Sequence, residues 1–268
     1  MTPTAILTGM PTGIDDLRGQ LPTLAHALML VLARVGTVAM LLPGVGESET
    51  PMTVRAGWAF ALTLVLFPVV APLLPAMPAG PAPLAAELAA EIVTGLWLGW
   101  LTRLAVMAMP MAGGVISYMT GLSSVLHPST DGGGQNPELS QLFTLAIPVI
   151  VLATGLYALP LRALVGSYSL IAPGHVLPAG DGAQMIVTAV GAAFALALQL
   201  AAPFVIASIV WQSTLGFVAR LVPRLHVHFV GLPGQLLGGL ALLALLGSSL
   251  LLVWSDAIRD GWSRLPGL

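Results

Sequence analysis

The composition of this 268-residue chain is that of a protein embedded in a membrane. Hydrophobic residues make up 57% of it and charged residues only 7%, whereas soluble domains carry about 25% charged residues. The net charge of −2 excludes a basic surface for nucleic acid. The absence of Cys excludes disulfides and thiolate metal sites, and the absence of Lys excludes a phosphate-loop lysine and a Schiff-base lysine.

Uncharged stretches long enough to cross a bilayer recur along the chain. A transmembrane helix needs about 20 apolar residues. The following stretches exceed that length: residues 56–86, 104–130, 139–161, 182–219 and 225–255. The N-terminus lacks the basic region of a signal peptide, and the apolar run from Leu21 is longer than a signal-peptide core. The sequence therefore predicts a polytopic, all-α membrane protein whose first span is retained.

Six helical segments are predicted in chain order. Four precede a boundary rich in Pro and Gly at residues 171–182, and two long ones follow it. The segments are residues 21–42, 56–76, 84–109, 139–161, 183–221 and 232–254. The fifth would form a helix of about 57 Å, against a hydrocarbon core of about 30 Å. We expect it to kink at Pro203, to tilt strongly, or to extend beyond the bilayer within a protein assembly.

Four charged residues inside the predicted spans are candidates for function. Arg34 lies in the middle of the first span and Arg103 lies late in the third. Glu87 and Glu91 lie one helical turn apart near the start of the third span. Such charges form a proton or ion relay in some membrane proteins and ion pairs between helices in others. Of these two interpretations we favour pairing between helices or snorkelling to the interface.

The chain carries no pattern of an enzyme or of a metal site. The motifs H-E-x-x-H and G-x-S-x-G and a phosphate-binding loop are missing. His226 and His228 are two residues apart, so they would point to opposite faces of a helix. We predict a protein with no catalytic residue, no metal and no cofactor.

The most unusual stretch is MAMPMAGGVISYMTGLSSVLHPSTDGGGQNP, residues 107–137. Methionine is flexible and fills irregular gaps, and paired glycines permit the backbone to leave a helix. Irregular backbone at membrane depth is tolerated only when it is buried in protein or lines a cavity. One interpretation is a plug that faces a pore around a helix break at Gly113 and Gly114. The other is ordinary core packing beside a re-entrant bend, which composition alone favours.

Pairs of glycines at four-residue spacing indicate close contacts between helices. They are Gly95 with Gly99 and Gly234 with Gly238. Either pair fits packing within the chain or contact with another subunit. Arg220 and Arg224 precede the HVH sequence, and we predict that they lie in a polar turn at the membrane interface or in a subunit contact.

Three motifs, spread over nearly the whole chain, together resemble the FliR/SctT family of export-gate proteins. The first is ARVGTVAMLLPGVGESETPMTVRAGWAFAL, with Arg34, Pro43, Pro51 and Arg55 at the family's spacing. The second is GGVISYMTGLSSVLHPST, which is similar to the family's G-x-x-I-x-x-x-x-G-L-S stretch. The third is STLGFVARLVPRLHVHFVGLPGQLLGG, which is similar to its L-G-h-h-x-R-x-x-P-Q signature. Their order and spacing identify the chain as a member of this family.

The resemblance implies a fold and a role. Family members assemble with FliP and FliQ into the helical export gate of a type III secretion apparatus at the bacterial inner membrane, partly raised toward the periplasm. By resemblance, residues 1–175 form a FliP-like part and residues 176–268 a FliQ-like helical hairpin. The expected partners are FliP-like, FliQ-like, FlhA-like and FlhB-like proteins, unfolded export substrates and membrane lipid, but not nucleic acid. The expected location is the flagellar basal body.

The resemblance also assigns the central stretch to a pore seal. The family's central loop plugs the channel, and the matching positions here are residues 109–121. The expected seal residues are Met109, Met111, Gly113, Gly114, Ile116, Met119 and Gly121. The sequence departs from the family pattern at three places: His127 replaces an Asp, Arg224 replaces a Gln, and TGLYALP after the fourth span lacks the family's Gly-His.

Two other functions stay open alongside a flagellar export-gate subunit. One is the injectisome counterpart of the same gate. The other is a stand-alone transporter of small solutes that uses the central stretch as its site, since transporters often contain interrupted helices. The two halves of the chain show no convincing internal repeat, which favours the export gate.

Overall fold

The computed structural model describes residues 14–47, 49–123, 137–176, 178–221 and 227–268. These residues form seven α-helices and one short 3-10 helix, and they include no strand. The α-helices are α1 Ile14–Leu41, α2 Met52–Val70, α3 Pro81–Thr120, α4 Glu138–Ala153, α5 Ala158–Leu170, α6 Ala179–Leu221 and α7 Val227–Trp262. The 3-10 helix, Ala71–Leu73, follows α2.

Five segments of the described chain are long and apolar enough to cross a membrane. They are Gly19–Leu41, Met52–Leu73, Pro81–Thr120, Ala179–Leu221 and Gly231–Trp262. Helices α4 and α5 together would make a sixth span, bent by 73°. The predicted class, an all-α membrane protein, is confirmed.

The chain bends sharply between α4 and α5. The expected single span over residues 139–161 is therefore wrong, because α4 ends at Ala153 and α5 begins at Ala158. Gly155 has φ of +71°, a left-handed conformation that favours glycine and commonly follows the end of a helix. Pro160 follows in the first turn of α5, where its missing N–H costs no helical hydrogen bond.

Helix α3 continues through the Met/Gly-rich stretch. The expected helix break at Gly113 and Gly114 is wrong, because both residues lie inside this 40-residue helix. Gly121 comes directly after the helix, and its φ of +77° is the left-handed conformation of a C-terminal cap. The segment expected to seal a pore, residues 109–121, is thus the C-terminal end of α3 with its cap.

The chain forms two compact units, each discontinuous in sequence. Unit 1 comprises Met1–Arg103, Gly155–Val187 and Ser263–Leu268, and unit 2 comprises Leu104–Thr154 and Thr188–Trp262. Helices α3 and α6 contribute residues to both units. The division into a FliP-like part, residues 1–175, and a FliQ-like hairpin, residues 176–268, stays a prediction.

Within unit 1, helices α1 and α3 approach each other closely at two glycines. A Cβ atom added at Gly95 would overlap the hydroxyl of Thr37 and the backbone carbonyl of Arg34. One added at Gly99 would lie 2.8 Å from the side chain of Leu41. Small residues of this kind let two helix backbones come together, so polar side chains on α1 and α3 can meet inside the unit.

Within unit 2, each of four helices carries a buried apolar side chain. Ile116 of α3, Val151 of α4, Phe204 of α6 and Trp254 of α7 are each at most 1% exposed. Large side chains that are fully removed from solvent hold neighbouring elements in place, because interiors pack at crystal-like density. The C-terminal end of α3 is therefore positioned by a packed core and is not a free loop.

Candidate functional site

The expected seal residues lie on two different faces of α3. Met109 and Ile116 are buried in unit 2, at 2% and 1% exposure. Met111 and Met119 are partly exposed, as are Gly114 and Gly121. The two buried side chains therefore belong to the core of the unit, and only the partly exposed residues are available to a pore.

The exposed face of this part of α3 includes an aromatic residue that the sequence reasoning missed. Met107, Met111, Gly114 and Tyr118 follow each other at spacings of four, three and four, so they lie along one helix face. Tyr118 is 67% exposed and Met107 is 38% exposed. We call these four residues the exposed stripe. The helical spacing of these four residues is visible in the sequence and would have indicated Tyr118. The stretch was expected to form a loop, which has no helical face, so this spacing was not considered.

The two glycines of the Gly-Gly pair have different surroundings. A Cβ atom at Gly113 would lie 2.7 Å from Cδ2 of Phe143 and 2.9 Å from the backbone nitrogen of Ser140, so α4 packs directly on this residue. A Cβ atom at Gly114 would meet only Pro137, at 3.9 Å. Gly113 thus permits contact between α3 and α4, whereas Gly114 faces open space.

The last turn of α3 is held by a side chain of α7. The amide of Gln235 donates a hydrogen bond from Nε2 to the backbone carbonyl of Met119, with an N–O distance of 2.8 Å. Nε2 of Gln212, on α6, donates in turn to Oε1 of Gln235 at 3.1 Å. A helix leaves its last carbonyls without partners in the helix, and Gln235 supplies one here. We call Gln212, Gln235 and the Met119 carbonyl the glutamine chain.

A cavity of about 200 Å³ lies beside the glutamine chain in unit 2. Its lining includes Met119, Phe204, Trp211, Gln235, Gly238 and Leu242. Most of these groups are apolar, and the amide of Gln235 is a polar group at the wall. The cavity is therefore a space next to the end of α3 that suits a flexible apolar side chain.

A buried ion pair joins α1 and α3 in unit 1. Arg34 and Glu91 have side chains with no solvent exposure, and Nε of Arg34 lies 2.7 Å from Oε2 of Glu91. Nη2 of Arg34 lies 3.0 Å from Oε1, so the pair is bidentate. The backbone N–H of Gly174 also donates to Oε1 of Glu91 at 2.7 Å. These charge-assisted hydrogen bonds are of the strong kind.

The end of α5 supplies the remaining partners of the Arg34 guanidinium. Nη1 donates to Oγ of Ser167 at 3.3 Å, and both Nη atoms donate to the backbone carbonyl of Ile171 at 3.2 Å. The guanidinium carbon lies 4.2 Å from the centre of the Tyr168 ring, within the range of a cation–π contact. Arg34 therefore links α1, α3 and α5.

The other charges inside spans also have partners in unit 1, one on another helix and one in the loop after α1. Nε2 of His26 lies 2.9 Å from Oε2 of Glu87. The guanidinium of Arg103 makes two hydrogen bonds with the carboxylate of Glu47, at 2.9 and 2.8 Å. The favoured interpretation, pairing between helices, agrees with the contacts of Glu87 and Glu91, whereas Arg103 pairs with a loop residue.

The remaining expected contact residues have varied environments. Gly95 and Gly99 face α1, as described above, and a Cβ at Gly234 would lie 2.7 Å from the ring of Trp211. A Cβ at Gly238 would meet nothing within 4 Å, and Arg220 is exposed in the last turn of α6. Arg224, His127 and His226 lie outside the described residues. Roles of these residues in contacts with another subunit stay predictions.

Titratable side chains in the described part of the chain do not gather into a metal-binding cluster of three or more His, Asp or Glu residues. Three of the charges inside spans form ion pairs with His26, Arg34 or Glu47. The described residues thus provide structural ion pairs in unit 1. In unit 2 they provide a mostly apolar helix end, the C-terminal end of α3, with flexible methionine side chains.

Comparison with known proteins defines the family. The family model of bacterial export proteins, family 1, matches residues 25–261. The flagellar biosynthetic protein FliR of Caulobacter vibrioides is 32% identical over 235 residues, which cover 88% of this chain and 94% of that protein. FliR of Bacillus subtilis is 29% identical over 77% of this chain and 80% of that protein, and FliR of Escherichia coli is 25% identical over 82% of each. The chain therefore belongs to the bacterial export proteins of family 1, the family of the FliR proteins.

Proposed function

We propose that this chain is a subunit of the flagellar type III protein export gate in the bacterial inner membrane. With FliP-like and FliQ-like subunits it forms the channel through which unfolded flagellar proteins leave the cytoplasm. FlhA-like and FlhB-like proteins deliver these substrates to it. The observation that carries the proposal is the similarity to FliR of Caulobacter vibrioides, which covers 88% of this chain and 94% of that protein. The role is structural and not enzymatic.

The C-terminal end of α3 is the proposed seal of the closed channel. The exposed stripe offers two methionines, a glycine and a tyrosine on one face, Met107, Met111, Gly114 and Tyr118. Unbranched methionine side chains close around an irregular opening without fixed packing. A tyrosine adds a large apolar ring with a polar tip. Soft groups of this kind would block ions while the channel is empty and yield to a passing polypeptide.

Purification from the native host tests the assembly. The chain is tagged at its C-terminus, extracted in mild detergent, and the proteins that co-purify are identified. Stoichiometric FliP-like and FliQ-like subunits are expected, together with other flagellar proteins. Injectisome proteins in their place would assign the chain to that machine. A lone chain that moves small solutes in liposomes would support a transporter, for which the 73° bend between α4 and α5 is the favouring observation.

Substitutions in the exposed stripe test the seal. Deleting residues 111–115 is less informative than substitution, because a helix shortened by five residues is rotated by about 140° beyond the cut. Met111→Ala and Tyr118→Ala, alone and combined, are expected to leave the complex assembled and to raise the leak of small ions several-fold. Met109→Ala is the matched control, since its side chain is buried in unit 2. It should lower stability without a specific increase in leak.

The leak is measured with the purified complex in liposomes, by the decay of a potassium gradient. An assembled double variant with the leak of the wild type would remove the seal assignment and leave the subunit assignment intact.

A further inference from the structure

The end of α3 accepts a hydrogen bond from a distant part of the chain. Gln235 and Met119 are 116 residues apart in sequence, yet Nε2 of Gln235 lies 2.8 Å from the Met119 carbonyl oxygen. That carbonyl belongs to the last turn of α3, directly before the left-handed Gly121. Because the end of a helix has carbonyls with no partner in the helix, an external donor there adds to the packing that holds the helix end.

The orientation of the Gln235 amide is itself constrained. Its oxygen accepts a hydrogen bond from Nε2 of Gln212 at 3.1 Å, which leaves the NH₂ group to face α3. An amide held at its oxygen presents its donors in a defined direction. The glutamine chain therefore connects α6, α7 and the end of α3 within unit 2.

Two neighbouring glycines of α7 differ in their relation to α3. A Cβ atom at Gly239 would lie 2.5 Å from Cβ of Thr120, so the backbone of α7 touches the last residue of α3 at this point. A Cβ atom at Gly238 would meet nothing within 4 Å, and Gly238 lines the cavity. One glycine is thus needed for contact with α3, and the other borders empty space.

The cavity is large enough for a methionine side chain. An apolar cavity of about 150 Å³ accommodates a benzene-sized molecule, and this one is about 200 Å³. Met119 lies at its wall and is partly exposed. Since methionine has three rotatable side-chain bonds, Met119 has both the freedom and the space to change position.

We infer that Gln235 is a positioning residue of the proposed seal. Its amide holds the last turn of α3 against α7 while the channel is closed. When that hydrogen bond is released, Met119 moves into the cavity and the end of α3 leaves the pore. This inference rests on the proposed function, and it adds the contact that keeps the seal in place.

The first test removes the hydrogen-bond donor and keeps the size of the side chain. The variant Gln235→Met is introduced into the full chain, and the complex with its co-purified partners is reconstituted in liposomes. Losing one net hydrogen bond should shift the closed state toward opening, so the ion leak is expected to rise roughly five- to tenfold. Gln212→Met is the graded comparison. It leaves the bond from Gln235 to the Met119 carbonyl but frees the Gln235 amide to turn, so its leak should lie between that of the wild type and that of Gln235→Met.

The second test changes the contact and the cavity separately. Gly239→Ala pushes against Thr120 and should raise the leak, whereas Gly238→Ala has space and should not. Gly238→Leu occupies the cavity, so it should keep the leak low and slow the export of flagellar proteins several-fold in cells. A merely structural role of this region would lower assembly in all these variants and would not separate leak from export.

The outcomes distinguish the inference from the proposed function. If the exposed-stripe variants leak and assembled Gln235→Met does not, the seal stands and the role of Gln235 is overturned. If Gln235→Met fails to assemble, the leaks of Gly238→Ala and Gly239→Ala are compared. A leak in Gly239→Ala but not in Gly238→Ala supports the inference, and equal leaks in the two variants contradict it. If no variant of the exposed stripe leaks, the proposed seal fails, and the role of Gln235 fails with it.

Discussion

At the scale of single residues, the contacts of Arg34 fit a structural link between helices and not a proton relay. A guanidinium has five N–H donors, and Arg34 makes five hydrogen bonds: two to Glu91, two to the Ile171 carbonyl and one to Ser167. Every donor is therefore used. A relay requires a group that exchanges its proton along a path, whereas an arginine with saturated donors stays charged and fixed.

Removal of either charge from this pair should destabilise the protein strongly. Arg34→Met or Glu91→Gln leaves the other partner buried with incomplete compensation, which costs about 3–5 kcal/mol for such pairs. The double variant Arg34→Met, Glu91→Leu should recover much of that loss, because no charge then remains buried. The measurement is the thermal unfolding midpoint of the purified protein in detergent. A stable Glu91→Gln variant that stops export would argue for a relay instead.

At the scale of whole helices, the two glycines of the Gly-Gly pair in α3 should respond differently to substitution by alanine. Gly113→Ala would introduce a methyl group 2.7 Å from the Phe143 ring and 2.9 Å from the Ser140 nitrogen. Overpacking of this kind costs about 1–3 kcal/mol. Gly114→Ala meets only Pro137 at 3.9 Å, and alanine favours a helix over glycine by up to about 1 kcal/mol. We expect opposite shifts of the unfolding midpoint from these adjacent substitutions. Equal shifts would show that α4 does not pack on Gly113.

The helical class and most of the spans were predictable from the sequence, but the number of helices and the positions of the breaks were not. Long apolar runs predict spans reliably, and they located α1, α2, α6 and α7. Composition alone placed a break at Gly113 and Gly114, yet the chain bends near Gly155. A glycine inside a helix can bend the helix or allow a neighbouring helix to pack closely against it. Which of the two occurs depends on the packed partner, here α4.

The candidate site was predictable only in part, for a similar reason. The methionines and glycines of residues 109–121 stand out by type and by family resemblance. The amide that holds Met119 lies 116 residues away and sits among many apolar residues of α7. No local pattern marks it, because its role comes from tertiary contact. Tyr118 was within reach of sequence reasoning, since it continues the helical spacing of Met107, Met111 and Gly114.

At the scale of the whole molecule, helix α6 is unsuited to a fully lipid-exposed position. Its 43 residues exceed the length needed to span a bilayer. Gln199, near the middle of the helix, is exposed on it. An amide in hydrocarbon without a partner costs several kcal/mol. We therefore expect a protein surface that offers a hydrogen bond to cover the part of α6 around Gln199.

Substitution of Gln199, near the middle of α6, tests whether a protein surface covers this part of the helix. Gln199→Leu should raise the unfolding midpoint of the isolated chain in detergent, because an exposed amide in an apolar surface is removed. The same change should lower the yield of the assembled complex several-fold, because the covering subunit loses a hydrogen-bond partner in a dry interface. Leu198→Ala, at the neighbouring exposed position, is the control and should affect assembly less. If Gln199→Leu stabilises the chain and leaves the yield unchanged, then water, and not a protein surface, covers this face of α6.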